Sequence, residues 1–265
     1  MTRRPLDDEL VRRGMAVTRS EARDAILAGR VTVAGRPASK PGSLVARDEP
    51  VVVSGPASPY ASRGGAKLVA ALDRFAVNAE GRRCLDAGAS TGGFTDVLLS
   101  RGAEHVVAVD VGYGQLAWPL RQAPRVTVMD RTNVRSLRPD DLPYHPDLIV
   151  ADLSFISLTA VIPALSDAAA PGCDLILLVK PQFEASPDDV SRGGVVSDPA
   201  VWRRAVERVA GACRAHDLGP AAVMASPVRG PAGNVEFLLH ARRGAQGSVL
   251  DLDAAMAEGH QVRAS

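Results

Sequence analysis

Seven short apolar runs divide the second part of the chain, and stretches with helical periodicity separate most of them. Short apolar runs bounded by turn-forming residues predict strands, and strands that alternate with helices favour a parallel sheet covered by helices. The connection at residues 228–234 is too short for a helix, so the last two strands should pair antiparallel. The predicted strands cover residues 83–87, 106–110, 126–129, 147–152, 174–180, 221–226 and 235–241.

The first 53 residues follow a different pattern, with two amphipathic stretches ahead of short β-like runs. The apolar stripe of the first stretch extends from Leu6 to Met15. The second begins with Thr18 and Glu21, which have the spacing of a capping box, and stops at Gly29. We predict helices over residues 6–15 and 18–28, a strand entering a tight turn over 31–37, a loop over 40–50 and a strand over 51–53.

Length and composition indicate one large folded domain and one small one, since the chain has 265 residues and is 46% hydrophobic. No apolar run approaches membrane-spanning length, and residues 1–20 lack the apolar core of a signal peptide. A stretch rich in Ser, Pro and Ala reads as a linker. We therefore expect domains over residues 1–54 and 63–243, a linker over 55–62 and a C-terminal tail over 244–265.

Three cysteines, Cys84, Cys173 and Cys213, are far apart and lie in apolar contexts. An odd number of widely separated cysteines favours buried free thiols over a disulfide framework. We therefore expect a reducing compartment, the cytoplasm. We also expect a monomer without a bound metal.

Positive charge is concentrated near the N-terminus: residues 1–67 contain 12 Lys and Arg against 7 Asp and Glu, and residues 68–265 contain 19 against 23. A basic front end is typical of proteins that bind nucleic acid, although solvated surface charge is the simpler alternative.

Two short helices followed by small strands, with a V-x-V-x-G turn at residues 31–35, resemble the S-four-type RNA-binding module. That module occurs in a small-subunit ribosomal protein, pseudouridine synthases and tyrosyl-tRNA synthetases. The alternative is an accessory domain that packs on its neighbour. The predicted RNA-binding residues are Arg4, Arg12, Arg19, Arg23, Arg30, Arg36, Lys40 and Arg63.

The run from Leu85 to Phe94, Leu-Asp-Ala-Gly-Ala-Ser-Thr-Gly-Gly-Phe, predicts a strand end, a glycine loop and a helix start. An ordinary strand–helix turn shares this pattern, but Asp86 precedes the first glycine, unlike in the G-x-G-x-x-G loop of dinucleotide-binding proteins. A carboxylate there repels a pyrophosphate and suits a cofactor with a cationic amino-acid end. Asp110 ends the next strand, where doubly wound sheets bind ribose hydroxyls. We therefore predict S-adenosylmethionine rather than NAD.

Cofactor contacts are expected beyond the carboxyl ends of the first strands, where open α/β sheets bind ligands. Glycines let the backbone approach a ligand closely, so Gly88, Ser90 and Gly92 should line the methionine end. Asp110 should hold the ribose, and Asp130 should lie near adenine. The predicted set is Asp86, Gly88, Ala89, Ser90, Thr91, Gly92, Gly93, Phe94, Asp110, Val111, Asp130, Arg131 and Asp152.

Four charged residues are expected at this same edge of the sheet. Asp152 and Lys180 end the fourth and fifth strands, and Glu236 begins an antiparallel last strand, which starts at that edge. Lys67 precedes the first strand, at a helix start that disfavours a cation. Each alone is more simply a loop residue, but a carboxylate within an apolar run such as that of Glu236 is costly without a lysine partner.

A parallel sheet closed by an antiparallel hairpin is the fold of class I (Rossmann-like) methyltransferases, and Lys67, Asp152, Lys180 and Glu236 resemble the Lys-Asp-Lys-Glu tetrad of RNA ribose 2′-O-methyltransferases. Residues 3–243 resemble the TlyA family of hemolysin-like ribosomal RNA methyltransferases. The family often carries Arg-x-Trp-Val in its linker, where this chain has Ser-Pro-Tyr-Ala at residues 58–61. The runs that carry the resemblance are residues 62–67, 84–95, 110–116, 131–133, 151–157, 179–184 and 233–236.

The resemblance implies 2′-O-methylation of cytidine in ribosomal RNA and an effect on sensitivity to capreomycin and viomycin. It implies the large-subunit RNA as substrate, and the longer N-terminus, residues 1–10, implies the small-subunit RNA as well. The rival readings are a hemolysin, a non-catalytic RNA-binding protein and an NAD-dependent dehydrogenase. The turn after the fourth strand, Asp152-Leu153-Ser154-Phe155, lacks both the Asn/Asp-Pro-Pro-aromatic pattern of base N-methylation and the cysteine of cytosine C5 methylation.

The acceptor hydroxyl is a weak acid, so its attack needs a base or a nearby charge. Lys180 is our candidate for taking or steering that proton, with Lys67 as a second cation that eases its deprotonation. Asp152 and Glu236 would orient the lysines. The alternative is a purely electrostatic Lys180, with water taking the proton.

Overall fold

The computed structural model describes residues 3–16, 19–27, 29–54 and 60–264, and the chain divides into two compact units, Met1–Arg63 and Gly64–Ser265. The predicted capping residue Thr18 and residues 55–59 of the predicted linker lie outside the described residues.

The described part of the first unit combines two helices with short antiparallel strand pairs. Strand β1 pairs with β4, and β2 lies between β3 and β5. The elements are β1 (Arg3–Pro5), α1 (Leu6–Arg12), α2 (Arg19–Leu27), β2 (Val31–Val33), β3 (Arg36–Pro37), β4 (Leu44–Ala46) and β5 (Val51–Val53).

Two of our predictions for this unit were wrong. Helix α1 ends at Arg12, because Gly14 adopts a φ of +70° and the Met15 amide donates to the Leu10 carbonyl; Met15 is 40% exposed and leaves the buried stripe. Strand β4 lies within residues 40–50, which we predicted as a loop. Three residues are too few for a periodic pattern, and β4 is stabilised by its pairing with β1.

The second unit is built on a seven-stranded sheet with the order β11–β12–β10–β9–β6–β7–β8. Strands β6 to β10 run parallel, and β12 is antiparallel to both β10 and β11. The predicted parallel sheet with an antiparallel closing pair is therefore confirmed. Its strands are β6 (Arg83–Ala87), β7 (His105–Val109), β8 (Val126–Met129), β9 (Leu148–Ala151), β10 (Asp174–Val179), β11 (Leu218–Ala225) and β12 (Phe237–Arg243).

Helices connect these strands and cover the sheet. The central strands are buried on both faces, which explains why they read as continuous apolar runs rather than as alternating ones. The helices are α3 (Gly64–Phe75), α4 (Gly93–Ser100), α5 (Trp118–Arg121), α6 (Ile162–Ala168), α7 (Pro181–Glu184), α8 (Pro199–Ala215) and α9 (Leu252–Ala264).

The last helix, α9, is part of the core of the second unit. Its Met256 is 6% exposed, and an added Cβ at Gly259 would lie 3.3 Å from both Trp202 and Phe237. The stretch that we predicted as a C-terminal tail therefore contains a helix that packs against α8 and the sheet. Its weak periodicity reflects a narrow contact made largely by small residues.

The three cysteines are free and buried, as expected. Burial raises the pKa of Cys84 to about 12, so its thiol is protonated at neutral pH. In the described ranges, every helix is too short or too polar to cross a membrane.

The packing of α9 predicts a large difference between two substitutions near the C-terminus. Met256→Ala should lower the free energy of unfolding by about 2–3 kcal/mol, because it leaves a cavity against the sheet. Val249→Ala, at a side chain that is 98% exposed, should change it by less than about 0.5 kcal/mol. Urea unfolding followed by circular dichroism measures both, and equal effects would show that α9 contributes little to the core.

Candidate active site

A cavity of about 420 Å³ lies at the carboxyl ends of the parallel strands. Five of the predicted cofactor-binding residues line it: Gly88, Ser90, Asp110, Val111 and Asp152. The other predicted residues do not line it: Asp86, Ala89, Thr91, Gly92, Gly93, Phe94, Asp130 and Arg131. The remaining lining residues were not predicted. They are uncharged, so the only signal in the sequence is that most of them lie shortly after a strand end. They are Gln115, Asn133, Val134, Leu153, Ser154, Phe155, Ile156 and Val161.

Asp110 is held rigidly at the cavity wall. Its Oδ2 accepts a hydrogen bond from the Ser90 amide at 2.8 Å, and its Oδ1 accepts one from the Gly112 amide at 2.7 Å. These bonds join the loops that follow β6 and β7. Since each carboxylate oxygen can accept more than one hydrogen bond, Asp110 can still receive a pair of ligand hydroxyls.

The glycines of the first loop are required by protein packing. A Cβ on Gly88 would lie 2.5 Å from the Asp152 carbonyl oxygen, and one on Gly92 would lie 2.3 Å from the Leu120 side chain. Both residues also adopt positive φ angles, +89° and +99°. We expected these glycines to admit a ligand, but at Gly92 the space is filled by protein side chains.

Asp86 lies beneath the loop instead of facing the cavity. It is fully buried, and its Oδ2 accepts a hydrogen bond from Thr95 Oγ1 at 2.6 Å. Its Oδ1 has no hydrogen-bond partner among the described residues. Burial raises the pKa of Asp86 to about 7, and the carboxylates of Asp152 and Asp110 contribute to the rise. Its role as a direct cofactor contact is not supported by this position.

Asp130 and Arg131 also lie outside the cavity lining, and each contacts another protein side chain. Asp130 pairs with Arg121 at 2.6 Å, and Arg131 lies over the ring of Tyr113, 4.4 Å from its centroid. Asn133 lines the cavity in their place, two residues further along the same loop. Asp130 therefore does not line the cavity, and its contact with adenine stays a prediction.

The four charged residues predicted at the sheet edge form two ion pairs: Lys67–Glu236 is buried, and in Lys180–Asp152 the Asp152 side chain is 24% exposed. Lys180 Nζ lies 2.7 Å from Asp152 Oδ1 and donates to Ser154 Oγ at 2.9 Å. Lys67 Nζ lies 2.5 Å from Glu236 Oε2. Lys67, Lys180 and Glu236 are between 1% and 8% exposed, so these charges interact through a medium that screens them weakly.

The two pairs are coupled through Asp152. Burial raises the pKa of its carboxyl group, but the charges of Lys67 and Lys180 more than offset that effect and lower the pKa below its ordinary value. Asp152 is therefore ionised at neutral pH. It lies both in the cavity wall and within reach of both cations, so the charged cluster borders the cavity.

The backbone explains why these residues meet. Asp152 and Lys180 directly follow β9 and β10, which are parallel neighbours, and Glu236 directly precedes the antiparallel β12. A Cβ on Gly230 would lie 2.5 Å from Glu236 Oε1, so the glycine gives this carboxylate room in its present position. Lys67 reaches Glu236 from the first part of α3.

An exposed phenylalanine marks the rim of the cavity. Phe155 is 91% exposed, has a φ of +63° and lies 5.5 Å from the ring of Phe183. A bulky residue rarely adopts this backbone conformation or this exposure. Both features suggest a function other than stability, because each opposes folding.

Several predicted RNA-binding arginines of the first unit are held by buried acids. Arg19 and Arg23 bind Asp7 at 3.1 and 2.8 Å, and Arg12 binds Glu9 through two hydrogen bonds. These bonds from Arg12 lower the pKa of Glu9 to about 2, against the effect of burial. Among the predicted residues, Arg4, Arg12, Arg19, Arg23, Arg36 and Lys40 are exposed, and Arg30 and Arg63 are partly buried.

Arg13 differs from the neighbouring arginines in binding mainly backbone carbonyl groups. Its guanidinium binds Glu9 at 2.8 Å and donates to the carbonyl oxygens of Glu49, Ala46 and Arg47. It therefore holds α1 to the loop that follows β4.

The comparisons with known proteins agree with this architecture. The model of the FtsJ-like methyltransferase family matches residues 60–243, and the S4 domain model matches residues 4–51. The 16S/23S rRNA (cytidine-2′-O)-methyltransferase TlyA of Mycobacterium tuberculosis is 54% identical over 89% of each chain. Hemolysin A of Brachyspira hyodysenteriae is 38% identical over 89% of this chain and 98% of its own.

A solved structure is similar over almost the whole chain. It is a protein described as a hemolysin, from Streptococcus thermophilus, with a TM-score of 0.80 at 34% identity, and it covers 99% of this chain and 97% of its own. The family matches span both units, and the relatives match most of their own length. The chain is therefore a member of the TlyA family, in which an S4 domain precedes an FtsJ-like methyltransferase domain.

Proposed function

We propose that the protein transfers the methyl group of S-adenosylmethionine to the ribose 2′-hydroxyl of cytidine in ribosomal RNA. The observation that carries this proposal is the cluster of two ion pairs, Lys67–Glu236 and Lys180–Asp152, at the border of the cavity. The attack of a hydroxyl acceptor needs a positioned cation or base. In this cluster, Lys180 is the candidate base, and Lys67 is a second cation.

The residues of the cavity fit the cofactor. S-adenosylmethionine would supply an activated methyl group, and catalysis would then depend mainly on placement. Asp110, fixed by two backbone amides, is suited to bind the ribose hydroxyls. Gly88 and Ser90 would border the methionine end, and Asn133, which lines the cavity, would lie near adenine.

Lys180 would act on the acceptor hydroxyl. Asp152 and Ser154 fix its Nζ, which leaves one of the three ammonium hydrogens for a substrate oxygen. If Lys180 is deprotonated when the substrate is bound, it accepts the hydroxyl proton; if it stays charged, it stabilises the developing oxyanion and water takes the proton. Phe155, at the rim, offers an aromatic face to the base of the acceptor nucleotide.

The first unit is proposed to bind the RNA. The arginines held by Asp7 and Glu9 present ordered guanidinium groups, so less side-chain entropy is lost when they bind phosphates. The substrates would be the large-subunit and small-subunit RNAs, as the name of the Mycobacterium tuberculosis relative states for that protein. Loss of the modification would alter sensitivity to capreomycin and viomycin, and the protein would act in the cytoplasm.

The test of the proposed function is methyl transfer from labelled S-adenosylmethionine to separated ribosomal subunits. Incorporation into subunit RNA is the expected result. A non-catalytic RNA-binding protein would bind the subunits and incorporate no label, and that outcome would overturn the proposal.

The cofactor site predicts that Asp110→Ala weakens S-adenosylmethionine binding by about 1–3 kcal/mol, because ligand hydroxyls lose a buried acceptor. Asp253→Ala removes a carboxylate that is 91% exposed and should leave the affinity unchanged. Titration calorimetry measures both variants. Tight NAD binding without S-adenosylmethionine binding would contradict the assignment.

The charged cluster predicts that Lys180→Ala lowers turnover by roughly 100-fold, the usual scale for a positioned proton-transfer group, with little change in cofactor affinity. Lys180→Arg keeps the charge but removes the base. Single-turnover rates therefore separate the two mechanisms: an inactive arginine variant indicates a base, and partial activity indicates an electrostatic role. Near-normal rates for Lys180→Ala and Glu236→Ala together would show that the cluster is not catalytic.

The first unit predicts that Arg19→Ala and Arg23→Ala lower RNA affinity and each reduce the slope of log affinity against log salt by about 1. Arg203→Ala removes an equal charge from an exposed ion pair of the second unit and should leave the slope unchanged. Filter binding at several salt concentrations gives the slopes. If all the variants and the wild type have equal slopes, Arg19 and Arg23 do not contact RNA phosphates, and their charges are only solvated at the surface.

A further inference from the structure

The loop after β9 is held in an unfavourable conformation where it forms the cavity wall. Residues 153–156 line the cavity, and Phe155 within them has a φ of +63°. A non-glycine residue persists in this region only where surrounding contacts determine its backbone. On one side of Phe155 the loop is held by the hydrogen bond from Lys180 to Ser154.

On the other side, the loop is held by a buried carboxylate. Glu184 is 3% exposed, and each of its oxygens accepts one hydrogen bond: Oε2 from Ser157 Oγ at 2.5 Å, and Oε1 from the Leu158 amide at 2.7 Å. Burial raises the pKa of Glu184, which is consistent with a carboxyl group enclosed by protein. Its own backbone is fixed by Arg208 of α8, which donates to the Glu184 carbonyl oxygen at 3.1 Å.

Glu184 also ends α7, the four-residue helix that Lys180 directly precedes. Residues 180–184 are therefore joined to residues 152–158 at two points. Lys180 donates to Ser154, and Glu184 accepts from Ser157 and Leu158. Just after Phe155, Ile156 packs against the core and Leu158 is buried within it. Glu184 adds two hydrogen bonds there, at Ser157 and Leu158, and these join this part of the loop to the segment that carries Lys180.

We propose that Glu184 is a positioning residue, which fixes the loop of residues 153–157 so that this loop completes the cofactor cavity and presents Phe155 and Ser154 to the reaction. This rests on the proposed methyltransferase function. Glu184 itself touches neither reacting group, since it acts through Ser157 and Leu158.

The experiment compares Glu184→Ala with Glu184→Gln in the full chain. The alanine variant removes both hydrogen bonds and should weaken S-adenosylmethionine binding by about 10-fold and lower kcat by at least that factor, on the scale of lost buried hydrogen bonds. In the glutamine variant, the amide oxygen still accepts from the Leu158 amide and the amide nitrogen donates to Ser157. It should remain within about threefold of the wild type.

The matched control is Asp174→Ala, at another buried carboxylate with two partners. Asp174 is 5% exposed and binds Arg82 and His240 at the opposite edge of the sheet. It should lower the melting temperature about as much as Glu184→Ala does, and leave cofactor affinity and kcat within about twofold when measured well below melting. Such a result separates positioning from a general loss of stability.

Two outcomes would overturn the proposal: unchanged affinity and kcat in Glu184→Ala, or equal losses in Asp174→Ala. If Glu184→Ala does not fold, Ser157→Ala decides in its place, with an expected loss of about threefold in affinity. This variant removes one of the two hydrogen bonds to Glu184, together with the bonds between Ser157 Oγ and Thr159. If the wild type transfers no methyl group to ribosomal RNA, the proposed function fails, while the cofactor affinities of the variants still decide the role of Glu184.

Discussion

The clustered charges of Lys67, Asp152, Lys180 and Glu236, of which all but Asp152 are buried, are the constraint on which the rest of the second unit depends. Removing two cations and two anions from water is costly, and the cost is offset only if each charge has a close partner. Both pairs meet this condition, with separations of 2.5 and 2.7 Å. Removal of one member would leave a buried charge unpaired, which typically costs about 3–5 kcal/mol. The arrangement is therefore explained more readily by chemistry than by stability.

Strand direction makes this arrangement possible. Parallel strands β9 and β10 bring Asp152 and Lys180 to the same edge, and only an antiparallel β12 can bring Glu236 there at its first residues. The same edge carries the cavity, so the charged cluster and the ligand site share one wall through Asp152. Gly230 and Gly88 allow the close approach of the surrounding loops. In this way the fold determines the site before any ligand binds.

The sequence predicted the sheet and two of the four charged residues, Asp152 and Lys180, from local signals, whereas Glu236 depended on the direction of the last strand and Lys67 on the resemblance to the family tetrad. Apolar runs mark buried strands, and polar residues that directly follow them mark the sheet edge. It did not predict β4, which is too short for periodicity, or the packing of α9, which relies on small residues. The cavity was predicted only in part. Asp130 and Asp86 were predicted as cofactor contacts because they are charged, but Asp130 pairs with Arg121 and Asp86 is buried beneath the loop. Asn133 and Phe155 line the cavity without any charge pattern to reveal them.

The chemical identity of the methylated nucleoside tests the central claim most directly. Ribosomal RNA that lacks the modification would be incubated with the protein and labelled S-adenosylmethionine, digested to nucleosides and separated by mass spectrometry. The proposed function predicts that the label appears in 2′-O-methylcytidine. A labelled base, such as N4-methylcytidine or C5-methylcytidine, or a ribose-methylated nucleoside other than cytidine, would contradict it.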